Sequence, residues 1–416
     1  MNFKIIFQIA KTHLLAKKKQ TLVAMLGVTF GIAMFSVMIS FMRGVNQFLE
    51  DSALDASPHL RIYKEVTSNR PSLIALQKPD GFNVVYHQKP QIEQMNLRNP
   101  WKMAEIIEAI PTVLGTSPQI SSQVFFNTGS APISGMIAGI DVLRENKLYN
   151  IVSRTKAGNF LSLLSNPNGI VMGIGLANKL NLKVGDNVNI TTPTGNIVLL
   201  KIVGLFGFGI GTIDNTKSYG NINKVQEILG RNKSYITDLH IKMKDPMEAL
   251  VIKESIKKQF GYKTEDWAEA NAFVLAGEKI RNSLTFVVVI TLLVVAGFGI
   301  YNIMNMNVIN KMKDIAILKA TGFDGKDIVS IFLLQAVIIG FLGALLGVLL
   351  GLGLCYLLSI TPFPAGDFVS IKTFPVLFDP RFYALGVVFG VVTTLVAGYF
   401  PSKKASKIDP VAILRG

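Results

Sequence analysis

Four stretches of this chain run the thickness of a lipid bilayer without one charged side chain, and that feature limits its fold more than any other. They are Thr21 to Met42, Ser283 to Ile309, Ile328 to Ile360 and Phe382 to Phe400. At 1.5 Å of rise per residue, each helix would cross roughly 30 Å of hydrocarbon. Buried helices of a soluble core rarely extend so far without a charge. The rest of the composition agrees: 416 residues, half of them hydrophobic, only 17% charged, against about 25% in an ordinary soluble domain.

The net charge of +15 would suit a nucleic-acid partner if the basic residues formed a patch with stacking aromatics. They do not. Lys17, Lys18 and Lys19 precede the first run, and Lys311, Lys313, Lys319 and Lys326 separate the second from the third. Lys403, Lys404, Lys407 and Arg415 follow the fourth, whereas the loop between runs three and four offsets Lys372 and Arg381 with Asp367 and Asp379. The positive-inside rule therefore puts both termini and the 310–327 loop in the cytoplasm. The first run is too long for a signal-peptide core and has no small-residue cleavage site after it, so it reads as an uncleaved anchor. Before it, Phe3, Ile5, Ile6, Phe7, Ile9, Leu14 and Leu15 alternate with basic residues, which suits a helix lying on the inner leaflet.

The expected fold class is an integral membrane α-helical protein with a large mixed α/β extracytoplasmic domain inserted between helices 1 and 2. The expected boundaries are an interfacial helix over 1–20, spans over 21–42, 282–309, 328–360 and 382–400, the external domain over 43–281, a cytoplasmic loop over 310–327, a short external loop over 361–381 and a tail over 401–416. In the external part, residues 59–63 alternate like a strand and 100–110 carry helical periodicity behind Pro100. Residues 169–206 predict strand, short helix, turn and hairpin, with Asp186 as a turn residue. Helices are predicted over 223–229 and over 245–261, the latter stopped by Gly261, and helical character over 268–284 leads into span two. Cys355 is the one cysteine, so no disulfide within the chain holds this domain. His59 is expected to pack at a strand start.

In span three Gly343, Gly347 and Gly351 stand four apart, the spacing that lets helix backbones approach. Gly27 with Gly31 and Gly386 with Gly390 repeat it once each, which the general frequency of glycine in membrane helices explains equally well. The sequence offers no catalytic chemistry. There is no phosphate-binding loop, no nucleophile elbow, no pairing of His13, His59, His87 and His240 at metal spacing, and no ionisable residue deep in a span. The expected protein is not an enzyme and binds no cofactor of its own, so the energy for any work comes from a partner.

The stretch KMKDIAILKATGF, 311–323, is more than a polar connector. Asp314 near its start and Lys319 near its end favour a helix dipole, and Thr321-Gly322 supplies a stop. Ile315 and Leu318 share a face, so a short cytoplasmic helix is expected, with an apolar face that no span buries.

Residues 307–323 resemble the coupling segment of the MacB-type (type VII) ABC permeases, and 399–416 resemble that superfamily's ending, with Pro401, Ala405, Pro410 and Leu414 at its spacing. Asp314 departs from the glutamate often found there but keeps the charge. SPHLRIY, GIVMGIGLANKLNLKVGDNVNI and the stretch from Glu278 to Lys311 are most similar to the lipoprotein-releasing (Lol) permeases. The resemblance implies a bacterial inner-membrane subunit with a periplasmic domain. It implies two cytosolic ABC ATPase subunits that bind ATP and Mg, a second permease chain, a lipoprotein substrate and a periplasmic chaperone. Lys313, Asp314, Ile315, Ile317, Leu318, Lys319 and Gly322 would dock the ATPase. Met34, Phe35, Met38, Phe41, Met42, Phe286 and Val289 would line a lipid-accepting cavity, where flexible Met and Phe suit acyl chains. A MacB-like efflux permease, or a signalling permease that activates cell-wall hydrolases, would share this machinery.

Overall fold

The computed structural model describes residues 3–16, 18–65, 77, 95–128, 132–363 and 373–415. Lys17, Asp367, Lys372 and Gly416 lie outside the described residues, as do the side chains of Phe3, Leu414 and Arg415. In chain order the principal helices are α1 (Phe3–Ala16), α2 (Lys18–Ala56), α3 (Pro100–Glu108), α4 (Val142–Tyr149), α5 (Glu248–Phe260), α6 (Ala272–Asn310), α7 (Met312–Ala320), α8 (Gly325–Ile360), α9 (Pro380–Ser406) and α10 (Pro410–Arg415). The described residues divide into a helical unit (within 3–48, 276–363 and 373–415) and a sheet unit (within 49–275).

Among the described residues, four helices are long and apolar enough to cross a membrane: α2, α6, α8 and α9. Each extends beyond its uncharged run, because capping decides where a helix ends and apolarity does not. Asp324 and Asp327 form a reciprocal capping box that opens α8 before its apolar part, and Asp379 caps α9 ahead of Pro380.

The seam between α8 and α2 is built on small residues. A Cβ on Gly343 would come within 2.8 Å of Val28 Cβ, one on Gly347 within 2.8 Å of both Ile32 Cβ and the Thr29 carbonyl, and one on Gly351 within 3.0 Å of Ser36 Cβ. The Thr29 hydroxyl donates to the Gly343 carbonyl at 3.1 Å, which fixes the register. Gly386 and Gly390 likewise face Ile32, whereas Gly27 faces open space. Around the seam Val28, Ile32, Met304, Ile328, Phe332 and Ala344 form one buried cluster.

The sheet unit holds β1 (Leu60–Tyr63), β2 (Val113–Asn127), β3 (Ile133–Ile140), β4 (Thr155–Gly158), β5 (Gly169–Gly173), β6 (Asn187–Thr191), β7 (Ile197–Phe206), β8 (Lys217–Asn221), β9 (Asp238–Met243) and β10 (Lys263–Asp266). They form one mixed sheet in the order β10-β1-β9-β2-β3-β8-β5-β7-β4, with β6 pairing β2 and β7. The pairs β3/β8 and β5/β7 are parallel. The hairpin read from the sequence is present: Thr191 opposes Ile197 across a bend in which Gly195 takes φ +86°. Asp186 accepts from the Lys183 amide at 2.8 Å, as a turn residue does. Gly261, at φ +70°, ends α5. In β1 the apolar residues Leu60 and Ile62 are buried while Arg61 and Tyr63 are half-buried, the alternation expected of a half-covered strand.

Polar groups are also buried in this unit. Glu145 on α4 is fully buried, and its burial pushes the carboxyl up against the opposing pull of Lys217. His59 accepts the Met243 amide on Nδ1 at 3.1 Å, so its ring is neutral at that nitrogen. Burial, then the nearby Lys242, hold its pKa down at about 4.

Two probes separate the units. The only cysteine, Cys355, is buried in the helical unit, and both tryptophans, Trp101 and Trp267, lie in the sheet unit. Gly347→Val overpacks the α8/α2 seam and costs about 1–3 kcal/mol. It should lower the temperature at which Cys355 becomes reactive to a thiol dye and leave the tryptophan transition unchanged, whereas Gly27→Ala lowers neither. The second prediction concerns pH. An unfolded His59 takes up a proton near pH 6.5, and the folded one refuses it until about pH 4. Its contribution is therefore complete above pH 6.5 and lost as pH falls through that window, up to about 3 kcal/mol. His59→Gln keeps an acceptor and should make the acid loss shallower by about one proton in tryptophan-monitored unfolding. An unchanged slope would contradict the assignment.

Candidate functional site

The helix α7 begins one residue after α6 ends. Lys311 pairs with Asp314 at 2.7 Å, and Asp314 in the first turn and Lys319 in the last complement the dipole. At the far end Gly322 takes φ +101°, and the Phe323 amide reaches back to the Leu318 carbonyl at 3.1 Å, a left-handed stop that favours glycine.

The apolar face does not stand free. Ile315 and Ala316 are fully buried, Ile315 in the cluster with Leu14, Val308, Ile328 and Ala405, and Leu318 packs on that cluster's edge. The expectation of an apolar face left uncovered is therefore corrected. Spacing along the sequence shows that Ile315 and Leu318 share a face, but not that the chain's own helices fold over it. Lys319 also turns inward: its ammonium donates to the Ser406 and Ile408 carbonyls at 3.0 and 2.7 Å. It thereby ties α7 to the end of α9, and α10 packs against α7 beyond. The outward positions are Lys313, Ile317, Ala320, Thr321 and Gly322, with Ile317 53% exposed.

Ile317, Leu318 and Asp314 form one wall of a groove of about 520 Å³ whose opposite wall is α1, through Ile5, Gln8, Ile9, Thr12 and His13. Gln335 Nε2 donates to His13 Nδ1 at 3.2 Å and anchors α1 against α8. The sequence reading assigned α1 to the lipid surface and missed this wall. Its signal was present, since 5, 9 and 12 fall on one face.

A second groove, of about 430 Å³, lies between α2, α6 and α9. It brings together Phe35, Met42, Phe286 and Val289 with Ile39, Thr285 and Phe389. Phe286 is 66% exposed and Val289 is buried. Three of the expected residues do not line it. Met34 is exposed elsewhere on α2, and Phe41 packs on Phe374 with ring centroids 6.0 Å apart. Met38 is half-buried and likewise off the wall. Positions four apart share a face but drift by about 40° per step, so Met42 lies close to Phe35 around the helix axis while Met38 and then Met34 fall progressively further from it. The polar end of this groove was not foreseen. Asn46 accepts from Arg281 Nε at 2.7 Å and donates to Asn282 at 2.9 Å, pinning α2 to α6, with Arg43 on the rim. The Arg–Asn pairs bordering both spans, Arg43 with Asn46 and Arg281 with Asn282, were the available sign.

Comparison with known proteins follows this division. A model of the MacB-like periplasmic core domain matches residues 21–259, and one of the FtsX-like permease C-terminal domain matches residues 286–410. The lipoprotein-releasing system transmembrane protein LolC of Neisseria meningitidis is 24% identical over 97% of each chain. LolC of Haemophilus influenzae is 22% identical over the whole of both. The macrolide export ATP-binding/permease protein MacB of Agrobacterium fabrum is 23% identical over 96% of this chain and 58% of its own length. The first of the two models alone accounts for more than half of the sequence, and the second falls on the helices that carry α7: the chain belongs to the ABC transporter permeases with a MacB-like periplasmic core domain and an FtsX-like C-terminal domain.

Proposed function

We propose that this permease is the membrane subunit of an ATP-driven complex that releases lipoproteins from the bacterial inner membrane toward a periplasmic chaperone. The observation that carries the reading is the pair of grooves on one helical unit, one at each end of α6. At the end nearest α7, Ile317, Lys313 and Gly322 face outward over a groove that suits the surface of a cytosolic ABC ATPase. Near the other end, Phe35, Met42, Phe286 and Val289 offer an apolar cleft that suits acyl chains. In this reading both termini and α7 are cytoplasmic, and the sheet unit is an insertion between α2 and α6 on the periplasmic side. Two ATPase subunits bind ATP and Mg and drive two permease chains, and this chain itself is non-catalytic. Movement at α7 passes to α6, which is one helix from Ala272 to Asn310. The similarity to LolC over nearly the full length of both chains supports lipoprotein as the cargo. The similarity to MacB keeps an efflux permease as the second reading.

The test is ATP-dependent release of a lipoprotein from proteoliposomes into a soluble chaperone, using the ATPase encoded beside this chain. Ile317→Asp should lower ATPase co-purification and release at least tenfold, the scale of losing one buried apolar side chain, with Cys355 still protected. Ile315→Asp should instead expose Cys355, because it places a charge in the core. Phe286→Asp should abolish release while ATPase binding persists. ATP hydrolysis without release in the unaltered protein would overturn the lipoprotein reading and favour efflux or a signalling permease. Intact ATPase binding by Ile317→Asp would overturn the docking surface.

A further inference from the structure

The helix α1 has two working sides. One faces α7, as described. On the other, Phe7, Lys11 and Leu15 recur at helical spacing and, with Lys18 at the start of α2, border a separate groove of about 430 Å³, closed by Leu22 of α2 and Leu342 of α8. We propose that this groove binds one anionic phospholipid, with its phosphate held between Lys11 and Lys18 and an acyl chain laid along the apolar floor.

Charge and shape argue together. The floor is apolar and made by α2 and α8, both of the membrane-crossing set, together with α1, and Phe7, Leu15, Leu22 and Leu342 are all exposed on it. Lysine stems can lie along such a floor while their ammonium groups seek a polar partner. Among the described residues no acidic side chain lines the groove, whose one uncharged polar side chain is the Thr21 hydroxyl, and the first carboxylate in the sequence is Glu50. Among the described residues, neither Lys11 nor Lys18 makes an ion pair. The Thr21 hydroxyl bonds the Leu14 carbonyl at 3.0 Å, so the corner between α1 and α2 that carries both lysines is fixed before any ligand arrives. A phosphate diester joined to a hydrocarbon chain matches the two cations and the floor at once. Neutral lipid or detergent matches the floor only. The proposal rests on these helices being membrane helices and is independent of the cargo and of the ATPase.

The full-length protein, exchanged into equal amounts of phosphatidylglycerol and phosphatidylcholine with matched chains, is examined by native mass spectrometry. Each lysine near an anionic headgroup contributes about fivefold, so phosphatidylglycerol should be retained in preference by roughly tenfold to thirtyfold. Lys11→Gln with Lys18→Gln should remove the preference. Lys4→Gln with Lys19→Gln, the same charge change at lysines that do not line the groove, should leave it intact. Cys355 protection checks that every variant is folded. Equal retention of the two lipids by the unaltered protein would overturn the proposal. So would a preference that survives the Lys11/Lys18 change, or one that is lost equally in the Lys4/Lys19 control.

Discussion

The helical unit depends on how closely α8 can approach α2. Without a hydrophobic driving force between helices in lipid, association relies on contact, and contact needs small residues at the seam. Gly343, Gly347 and Gly351 supply it, and each would meet α2 at 3.0 Å or less if it carried a Cβ. The consequences spread from that line. The seam fixes α2, hence the corner at Thr21 and the helix α1 before it. It also fixes the start of α8, which follows α7 after four residues. Both walls of the groove at α7 thus hang from one packed interface.

This explains why α7 is anchored twice. Ile315 is sunk in the core, and Lys319 is bonded to the carbonyls at the end of α9. A helix that only floated on the surface could move without moving anything else. Held by a buried side chain on one side and a charge-assisted pair of hydrogen bonds on another, it cannot shift without straining α6, α8 and α9 together. The outward set Lys313, Ile317 and Gly322 is therefore on a rigid mount, the arrangement needed if force applied there is to reach other helices.

How much of this could be read in advance follows from what a one-dimensional pattern encodes. The four spans were legible because the absence of charge over a bilayer's thickness is a local property. The hairpin at 187–206 and the stop at Gly261 were legible because turn chemistry is local too. The glycine face of α8 was legible as a spacing, though nothing in the spacing named α2 as the neighbour. Burial against another element is not local. Ile315 and Ile317 are alike in type and two apart, yet one is in the core and the other faces out. Met34, Met38 and Met42 read as one apolar group, yet only Met42 reaches the cleft. Polar residues at the span ends, Asn46, Arg281 and Asn282, carried meaning only once α2 and α6 were side by side.

The sheet unit raises a different constraint. It has no disulfide to limit its unfolded state, and beside its apolar clusters it buries a set of polar groups, Glu145, His59, His240 and Lys242 among them. Buried polar groups of this kind cost stability unless each is partnered. Neither carboxyl oxygen of Glu145 has a hydrogen-bond partner among the described residues. The other three of these four are partnered, His59 through the Met243 amide, His240 through the Tyr149 hydroxyl at 3.0 Å, and Lys242 through the Leu54 carbonyl at 2.6 Å. These bonds join β1, β9, α4 and the end of α2, elements far apart in sequence. A purely apolar core of the same size would tolerate small slips of one element past another. A core with directional bonds at these points does not, so the sheet moves as a body if it moves at all.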